Sequence, residues 1–150
     1  MWEIPRDYSG SVSFHKKGPI CEGCNLLLLH VHTDLVMFFK WAKEKYPDVH
    51  IAEGWRNEAD QNKDFAEGKS RLQWPHSKHN HMENGHPCSL ALDLFLITPE
   101  GKADFNRDFY DRLYQDILKT GFDIRWGGTF KDFYDGPHYQ LNQERKPYAS

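Results

Sequence analysis

Residues 77–93, with the sequence SKHNHMENGHPCSLALD, hold three histidines and an aspartate in one short stretch. Imidazole and carboxylate groups are the side chains that bind a catalytic zinc ion, which needs about three protein ligands and an open position for water. Asp93 lies within the apolar run SLALDLFLI, and a carboxylate buried there is costly unless it is paired or bound to a metal. The stretch therefore predicts either a metal site or a structural aspartate that pairs with an arginine or caps a turn.

His138, in the segment DGPHYQL, is a second candidate ligand, and it follows Asp135 across a Gly-Pro turn. This spacing can hold a carboxylate beside a metal ion without making it a ligand. Such a carboxylate can take a proton from a water molecule and pass it to a leaving amine. Asp-x-x-His matches are common by chance, so the spacing alone leaves both interpretations open.

A third ligand is expected in the opening stretch, where several histidines compete for the role. His79 and His86 are both chemically suitable, and His76 and His81 lie nearby. Most histidines in a surface loop are only solvated side chains. The residues alone leave the choice between His79 and His86 open.

The chain has three cysteines, Cys21, Cys24 and Cys88, and an odd number without a secretory signal favours reduced thiols. A structural zinc site at the CEGC pair needs four ligands, and a second CxxC or HxxxH pair is missing. A redox pair would need a thioredoxin-like pattern, which is not clear. The pair is therefore predicted to be a turn with two ordinary thiols. The histidines without a partner pattern are expected to be ordinary side chains as well: His15, His30, His32 and His50.

Composition limits the class of protein. A chain of 150 residues with a net charge of −3 is predicted to form one domain, residues 1–150, that does not attract nucleic acid or an anionic membrane. No apolar run is long enough to span a bilayer, and the N-terminus MWEIPRDYSG does not look like a secretory signal. We therefore expect a chain without a membrane anchor that is cytoplasmic at synthesis.

The pattern of apolar residues predicts an α+β fold in which a small antiparallel sheet is flanked by helices. Residues 1–24 are expected to be an irregular arm. Helices are predicted within 25–46, 57–70 and 103–121, and a loop is predicted over 71–87. Strands are predicted at 48–56, 89–97, 122–128 and 136–141.

Five short motifs occur in order within residues 48–141. They are Gly54-Trp55-Arg56 with Gln61, Ser77-Lys78-His79, Ala91-Leu92-Asp93, Trp126-Gly127-Gly128 and Asp135-Gly136-Pro137-His138. In this order they resemble the zinc peptidases that include D-Ala-D-Ala carboxypeptidases, vancomycin-resistance D,D-dipeptidases and phage L-alanyl-D-glutamate endolysins. That family shares its small α+β fold with the hedgehog signalling domain. Each motif alone is weak, but five in order over one domain are a strong signal.

The resemblance implies one catalytic zinc ion held by His79, Asp93 and His138. It also implies that Asp135 acts as general base and then as general acid. Arg56 would stabilise the oxyanion of the tetrahedral intermediate or hold a substrate carbonyl or carboxylate.

Two further residues take supporting roles by the same resemblance. Gln61 would lie near the substrate or support Arg56. Ser77 would bind substrate or fix the loop that carries the zinc ligand. Trp126 is expected either in the core or in the wall of the cleft, without a catalytic role.

The sequence departs from the family pattern before Asp93. The compact pattern places the histidine seven residues before the aspartate, whereas His79 lies fourteen residues before it. His86 has the right spacing but the wrong neighbours, and Ser77 precedes only His79 in the required way. We therefore interpret NHMENGHPC as an inserted loop and expect His79, not His86, to bind zinc.

The expected function is a zinc-dependent peptidase of peptidoglycan stem peptides, acting as a monomer. Within the family an L-alanyl-D-glutamate endopeptidase of the phage endolysin type is favoured, released to the cell wall through a holin-type membrane hole. A D-alanyl-D-alanine carboxypeptidase is the first alternative. The second is a zinc-containing binding or virion structural module without turnover, since the hedgehog domain shows that the fold can serve binding.

Overall fold

The computed structural model describes residues 20–142, which form an α+β fold. Its four α-helices are α1 (Glu22–Leu28), α2 (Thr33–Lys45), α3 (Glu58–Ala66) and α4 (Arg107–Ile117). Its seven strands are β1 (Val49–Glu53), β2 (Met82–Glu83), β3 (His86–Pro87), β4 (Ala91–Ile97), β5 (Ala103–Asp104), β6 (Ile124–Trp126) and β7 (His138–Leu141). Across residues 20–142, no helix has the length and apolar character needed to cross a membrane.

Five of the strands form one antiparallel sheet, as the sequence predicts. The order is β1-β4-β7-β6, and β5 lies off this path and pairs with the C-terminal end of β4. Strand β4 is central, with β1 on one side and β7 on the other. Both faces of β4 are covered, because its buried leucines and the buried Phe95 lie on either side. This burial on both faces explains why the segment is almost continuously apolar.

Helices α2 and α4 pack their apolar faces into the core. The predicted face of α2, Leu35, Phe38, Phe39 and Ala42, is fully buried. Helix α4 starts where Asn106 caps it by accepting hydrogen bonds from the next turn. Its face is confirmed for Phe109, Leu113 and Ile117, whereas Leu118 follows the last turn and is exposed.

The N-terminal part of the chain differs from the expectation of an irregular arm over 1–24. Residues 1–19 lie outside the described part. From Glu22 the chain is helical, because the Cys21 sulfur caps α1 by accepting the N–H of Cys24. The helix predicted within 25–46 is two helices, and His32 separates them by capping α2 through the N–H of Asp34.

The predicted loop over 71–87 contains a hairpin that the sequence reasoning missed. Strands β2 and β3 pair across Asn84 and Gly85, which have φ of 51° and 78°. Positive φ at both central residues is what a tight two-residue hairpin turn needs, and Asn-Gly is the favoured pair. The backbone N–H of Cys88 donates to the carbonyl of His81 at 2.9 Å, which closes the base of the hairpin.

Candidate active site

Strand register brings Asp93 and His138 together. In the pairing of β4 with β7, Asp93 lies directly opposite His138, and on the other side of β4 it lies opposite Glu53 of β1. Directly opposed residues of antiparallel strands have side chains within contact distance on the same face. Two of the three predicted ligands are therefore fixed by the sheet itself.

His79 reaches the same place from a short 3₁₀ helix, Lys78–Asn80. Ser77 caps this turn: its hydroxyl accepts the N–H of His79, and its own N–H donates to the side chain of Asn80. Asn80 in turn donates to the carbonyl of Arg56 at 3.0 Å. These bonds support one of the two roles expected for Ser77, which is to fix the loop that carries His79.

The three side chains converge on one point. His79 Nε2 lies 3.4 Å from Asp93 Oδ1, and His138 Nδ1 lies 3.3 Å from the same oxygen. The two imidazole nitrogens are 3.3 Å apart. One ligand atom from each residue lies within 4.8 Å of the others, so a single ion could contact all three.

Second partners orient both imidazoles. His79 Nδ1 lies 2.6 Å from the carbonyl oxygen of Gly54, and His138 Nε2 lies 2.8 Å from Gln140 Oε1. Both oxygens only accept, so each of these nitrogens carries the proton. In the neutral form of each ring, Nε2 of His79 and Nδ1 of His138 are then the lone-pair nitrogens and face Asp93, as metal-binding histidines require.

The charges of the cluster depend on one another. Burial would raise the pKa of Asp93, but the neighbouring His79 and His138 hold that pKa well below its ordinary value. Burial would likewise lower the pKa of His138, yet the hydrogen bond and charge of Asp93 raise it. The carboxylate of Asp93 therefore stays ionised beside the two imidazoles.

Asp135 lies at the edge of this cluster and reaches the cleft. Its Oδ2 is 4.0 Å from His138 Nδ1, and its side chain is 39% exposed. Burial and the nearby charge of Asp93 raise the pKa of Asp135. A raised pKa brings a carboxyl group closer to the range in which it can both accept and return a proton.

The Trp-Gly-Gly motif holds the Asp135 turn. Trp126 is buried and its indole N–H donates to the carbonyl of Gly136 at 2.7 Å, while the N–H of Asp135 donates to the carbonyl of Gly127. A Cβ at Gly127 would lie 2.2 Å from the Asp135 carbonyl oxygen, so only glycine fits. Of the two places expected for Trp126, the core is therefore the one observed.

Arg56 is buried beside the cluster, and its donor nitrogens bond to side chains of the protein. Its Nε and Nη2 donate to Glu53 Oε1, and its Nη1 donates to Gln61 Oε1. Nη2 lies 3.9 Å from Asp93 Oδ2, and Nε lies 3.5 Å from Asp64 Oδ2. The guanidinium lines the same cleft as Asp93 and lies close enough to orient that carboxylate.

Gln61 is fully buried and bonded on both ends of its amide. Its oxygen accepts from Arg56 and Asn80, and its nitrogen donates to Ser70 Oγ and the carbonyl of Leu72. These bonds use the capacity of the amide. The geometry therefore favours the support of Arg56 over contact with substrate, the other role expected for Gln61.

A cleft of about 700 Å³ opens over the cluster. Besides the site residues it is lined by aromatic Phe130 and Phe133, on which Arg125 and Arg71 stack at 4.8 and 4.5 Å from the ring centres. The basic lining residues are Arg56, Lys69, Arg71, Lys78, Arg125 and Lys131. The cleft is thus basic around its rim, although the chain as a whole has a net charge of −3.

The other histidines of the opening stretch lie apart from the cluster. His86 is exposed on β3, and His81 is buried with its Nε2 2.6 Å from Glu83 Oε2. Neither belongs to the group formed by His79, Asp93 and His138.

A second group of metal-capable side chains was missed by the sequence reasoning. Cys21, Cys24 and His50 are buried, and one ligand atom of each lies within 4.8 Å of the others. The two cysteines are buried at the start of helix α1, where the sequence predicts a turn with two ordinary thiols. The available signal was the CxxC pair itself, but nothing in the spacing pointed to His50, which comes from the next strand.

Comparison with known proteins supports the fold assignment. No protein-family model matches the chain. The chain is similar to the crystal structure of the L-Ala D-Glu endopeptidase ChiX of Serratia marcescens, with 27% sequence identity and a TM-score of 0.65. The match covers 79% of this chain and 86% of that chain. The protein thus has the peptidase fold that its motifs predict.

Proposed function

We propose that the protein is a zinc-dependent peptidase of peptidoglycan stem peptides, specifically an L-alanyl-D-glutamate endopeptidase. The observation that carries this proposal is the convergence of His79, Asp93 and His138 beside Asp135, in an open cleft of the fold shared with an L-Ala D-Glu endopeptidase. Two imidazole nitrogens and one carboxylate are a donor set typical of catalytic zinc, in which three protein ligands leave a position open.

The donor set fits an ion at this cluster. His79, Asp93 and His138 would hold it, while Gly54 and Gln140 would accept from the ring nitrogens that face away from the ion. When bound, zinc supplies Lewis-acid chemistry: it polarises a carbonyl oxygen and lowers the pKa of water.

The remaining chemistry belongs to side chains of the chain. Asp135 takes a proton from the attacking water molecule as the oxygen of that water bonds to the scissile carbonyl carbon. The carboxyl group then returns the proton to the amide nitrogen as the carbon–nitrogen bond breaks, so that a neutral amine leaves. Arg56 orients Asp93 from behind and contributes positive charge to the wall of the cleft where negative charge develops.

The basic rim of the cleft favours an anionic peptide. A stem peptide carries free carboxylates next to its cleavable bonds, and five rim cations outside the ligand cluster could pair with them: Lys69, Arg71, Lys78, Arg125 and Lys131. Such charge complementarity selects partners and speeds their association.

The activity is tested with purified peptidoglycan and the zinc-loaded protein, with and without chelator. Identification of the new termini separates the candidates. Free L-Ala carboxyl ends with new D-Glu amino ends support the endopeptidase, whereas released D-Ala would mean a D-alanyl-D-alanine carboxypeptidase. Absence of any cleavage by zinc-loaded protein would overturn both and leave the binding module.

We also propose that the enzyme serves as a phage-type endolysin. The support is the sequence resemblance of Ser-Lys-His-Asn, followed by a loop and Ser-Leu-Ala-x-Asp, to phage members of the family. If this is correct, bacteria that express the protein in the cytoplasm stay intact until the membrane is permeabilised, and then lyse. Lysis without permeabilisation, or intact cells after it, would contradict the endolysin role.

A further inference from the structure

A buried cluster of Cys21, Cys24 and His50 lies outside the catalytic cleft. Cys24 and His50 are 0% and 1% exposed, and Cys21 is 8% exposed. All three cysteines of the chain are thiols and none is in a disulfide. Nothing in the proposed peptidase mechanism uses these residues.

Two distances within the cluster match those of a tetrahedral metal site. The sulfur of Cys21 and the sulfur of Cys24 each lie 3.6 Å from the same atom, His50 Nδ1. With zinc–sulfur bonds of roughly 2.3 Å and zinc–nitrogen bonds of roughly 2.0–2.1 Å at tetrahedral angles, the sulfur-to-nitrogen edge is about 3.5–3.6 Å. Both observed edges have this length.

A simple hydrogen-bond account explains the arrangement less well. An imidazole nitrogen that accepts has a single lone pair, which can take one S–H donor. The two sulfurs lie at equal distances from Nδ1, and an ion placed between the three atoms could contact all of them.

The surrounding backbone is arranged for thiolates. The N–H of Cys24 donates to the sulfur of Cys21, and the N–H of Ile51 donates to the sulfur of Cys24, both at 3.4 Å. Amide donors of this kind stabilise negative charge on sulfur and orient the ligands. Lys43 is also buried nearby and donates to the carbonyl of Val49, which adds positive charge beside the two sulfurs.

A redox or nucleophilic role is disfavoured by the same surroundings. Reactive cysteines are partly exposed and have a lowered pKa. Cys24 is completely buried, and burial raises the pKa of its thiol. Reduced and without an ion, this thiol would be inert.

We propose that Cys21, Cys24 and His50 bind a structural zinc ion, separate from the ion of the catalytic cleft. Thiolate and imidazole ligands favour zinc among the common divalent ions, and one of its four positions remains for a further donor. The ion would join the start of α1 to β1. Gly54 follows that strand, and its carbonyl orients His79, so the site would stabilise the frame that carries the catalytic ligand.

The metal content of tag-free protein gives the first test. The wild-type chain is expected to bind two zinc ions, and Cys24→Ser is expected to keep one. His79→Ala should also keep one, because it leaves the cysteine site intact. Cys88→Ser is the matched control and should keep two. A zinc content that is the same in the wild type and in Cys24→Ser would overturn the proposal, whether or not the cleft holds an ion.

Cobalt replacement gives a readout that does not need any variant to fold. A thiolate-bound cobalt ion has an intense near-ultraviolet charge-transfer band, which the cleft ligands, two imidazoles and a carboxylate, cannot produce. We expect this band in the wild-type chain and in His79→Ala. Its absence from wild-type protein loaded with cobalt would sink the proposal. Neither readout uses peptidase activity, so failure of the proposed function would not be mistaken for failure of this site.

Discussion

At the scale of single residues, the proposed metal ligands are separate from the proposed proton-transfer group. His79, Asp93 and His138 share one point, while Asp135 stands 4.0 Å from His138 and faces the open cleft. Each imidazole is turned by a partner that is not itself a candidate ligand. This division predicts that ligand and proton-transfer variants fail in different ways.

Replacement of Asp135 by asparagine tests the proton-transfer role. We expect Asp135→Asn to lower kcat by about 10²- to 10⁴-fold, since the amide cannot accept the proton of water. Zinc content, measured by elemental analysis, should not change. Asp132→Asn is the control, because Asp132 lines the same cleft but lies outside the ligand cluster. Equal losses in the two variants would count against a special role of Asp135.

The choice of ligand from the opening stretch is tested by a pair of histidine variants. His79→Ala should lose the catalytic zinc ion and all measurable cleavage, because the ion would keep only two protein ligands. His86→Ala should keep both, since that side chain is exposed on β3. Metal analysis and cleavage of peptidoglycan check the pair. Loss of this ion from His86→Ala alone would reverse the ligand assignment.

At the scale of elements, the hairpin β2–β3 explains how His79 can lie fourteen residues before Asp93. The hairpin leaves at His81 and returns at Cys88, whose N–H bonds the His81 carbonyl. The N–H of Leu90 then bonds the carbonyl of Lys78 at 3.0 Å, so the chain before the insertion lies against the chain after it. The inserted residues therefore lengthen the loop without displacing the ligand.

The hairpin turn makes a stability prediction. Gly85 has a φ of 78° and no atom within 4 Å of an added Cβ, so Gly85→Ala adds backbone strain without a clash. We expect the free energy of unfolding to fall by about 1–2 kcal/mol, as measured by denaturant titration. Gly121→Ala, also in open space but without a positive φ, should not show this loss. Equal losses of unfolding free energy in the two variants would mean that the positive φ at Gly85 does not strain an alanine.

Helices α2 and α4 are joined by a hydrogen bond from the Tyr46 hydroxyl to Asp116 Oδ2 at 2.7 Å. Tyr46→Phe removes it and should lower the free energy of unfolding by about 1 kcal/mol near neutral pH. Burial and the bond to Asp116 raise the pKa of Tyr46 to about 12. A tyrosine pKa raised on folding contributes stability that is fully present below about pH 10 and is lost as pH rises toward 12. The gap between wild type and variant should therefore narrow above pH 10 in denaturant titrations, and a gap that widens would contradict this assignment.

At the scale of the whole molecule, the parts that the sequence predicted are those set by local pattern. The face of α2, the buried strand β4 and the turn before His138 all follow from periodicity or turn residues. The candidate catalytic residues were predicted from the resemblance that five ordered motifs carry, and their roles stay predictions. The comparison with the endopeptidase structure supports the same fold.

The parts that the sequence did not reveal depend on distant contacts. Cys21 and Cys24 meet His50 only because α1 packs against β1, a contact across 26 or more residues that has no periodic signature. The motif predicts that Gln61 lies near the substrate or supports Arg56. In the structure, protein partners take all the hydrogen bonds that its side-chain amide can make. The hairpin was visible as Asn84-Gly85, but its strands have only two residues each, too few to show alternation.

The distribution of charge over the molecule predicts how cleavage depends on salt. The chain has a net charge of −3, so its overall field repels an anionic wall polymer, and attraction must come from the basic rim of the cleft. Salt screens exposed charges beyond about 8 Å at physiological ionic strength. We therefore expect kcat/KM on a soluble stem peptide to fall as sodium chloride rises.

A matched substrate and a matched variant locate this effect. A stem peptide with its free carboxylates amidated should be cleaved with a weaker salt dependence, because it offers the rim less negative charge. Arg71→Gln should raise KM for the free-acid peptide several-fold and leave KM for the amidated one nearly unchanged. Lys40→Gln, an exposed change on α2 away from the cleft lining, should alter neither. If both peptides respond alike to salt and to Arg71→Gln, the rim does not recognise carboxylates, and Arg71 acts only by stacking on Phe133 to hold the cleft wall.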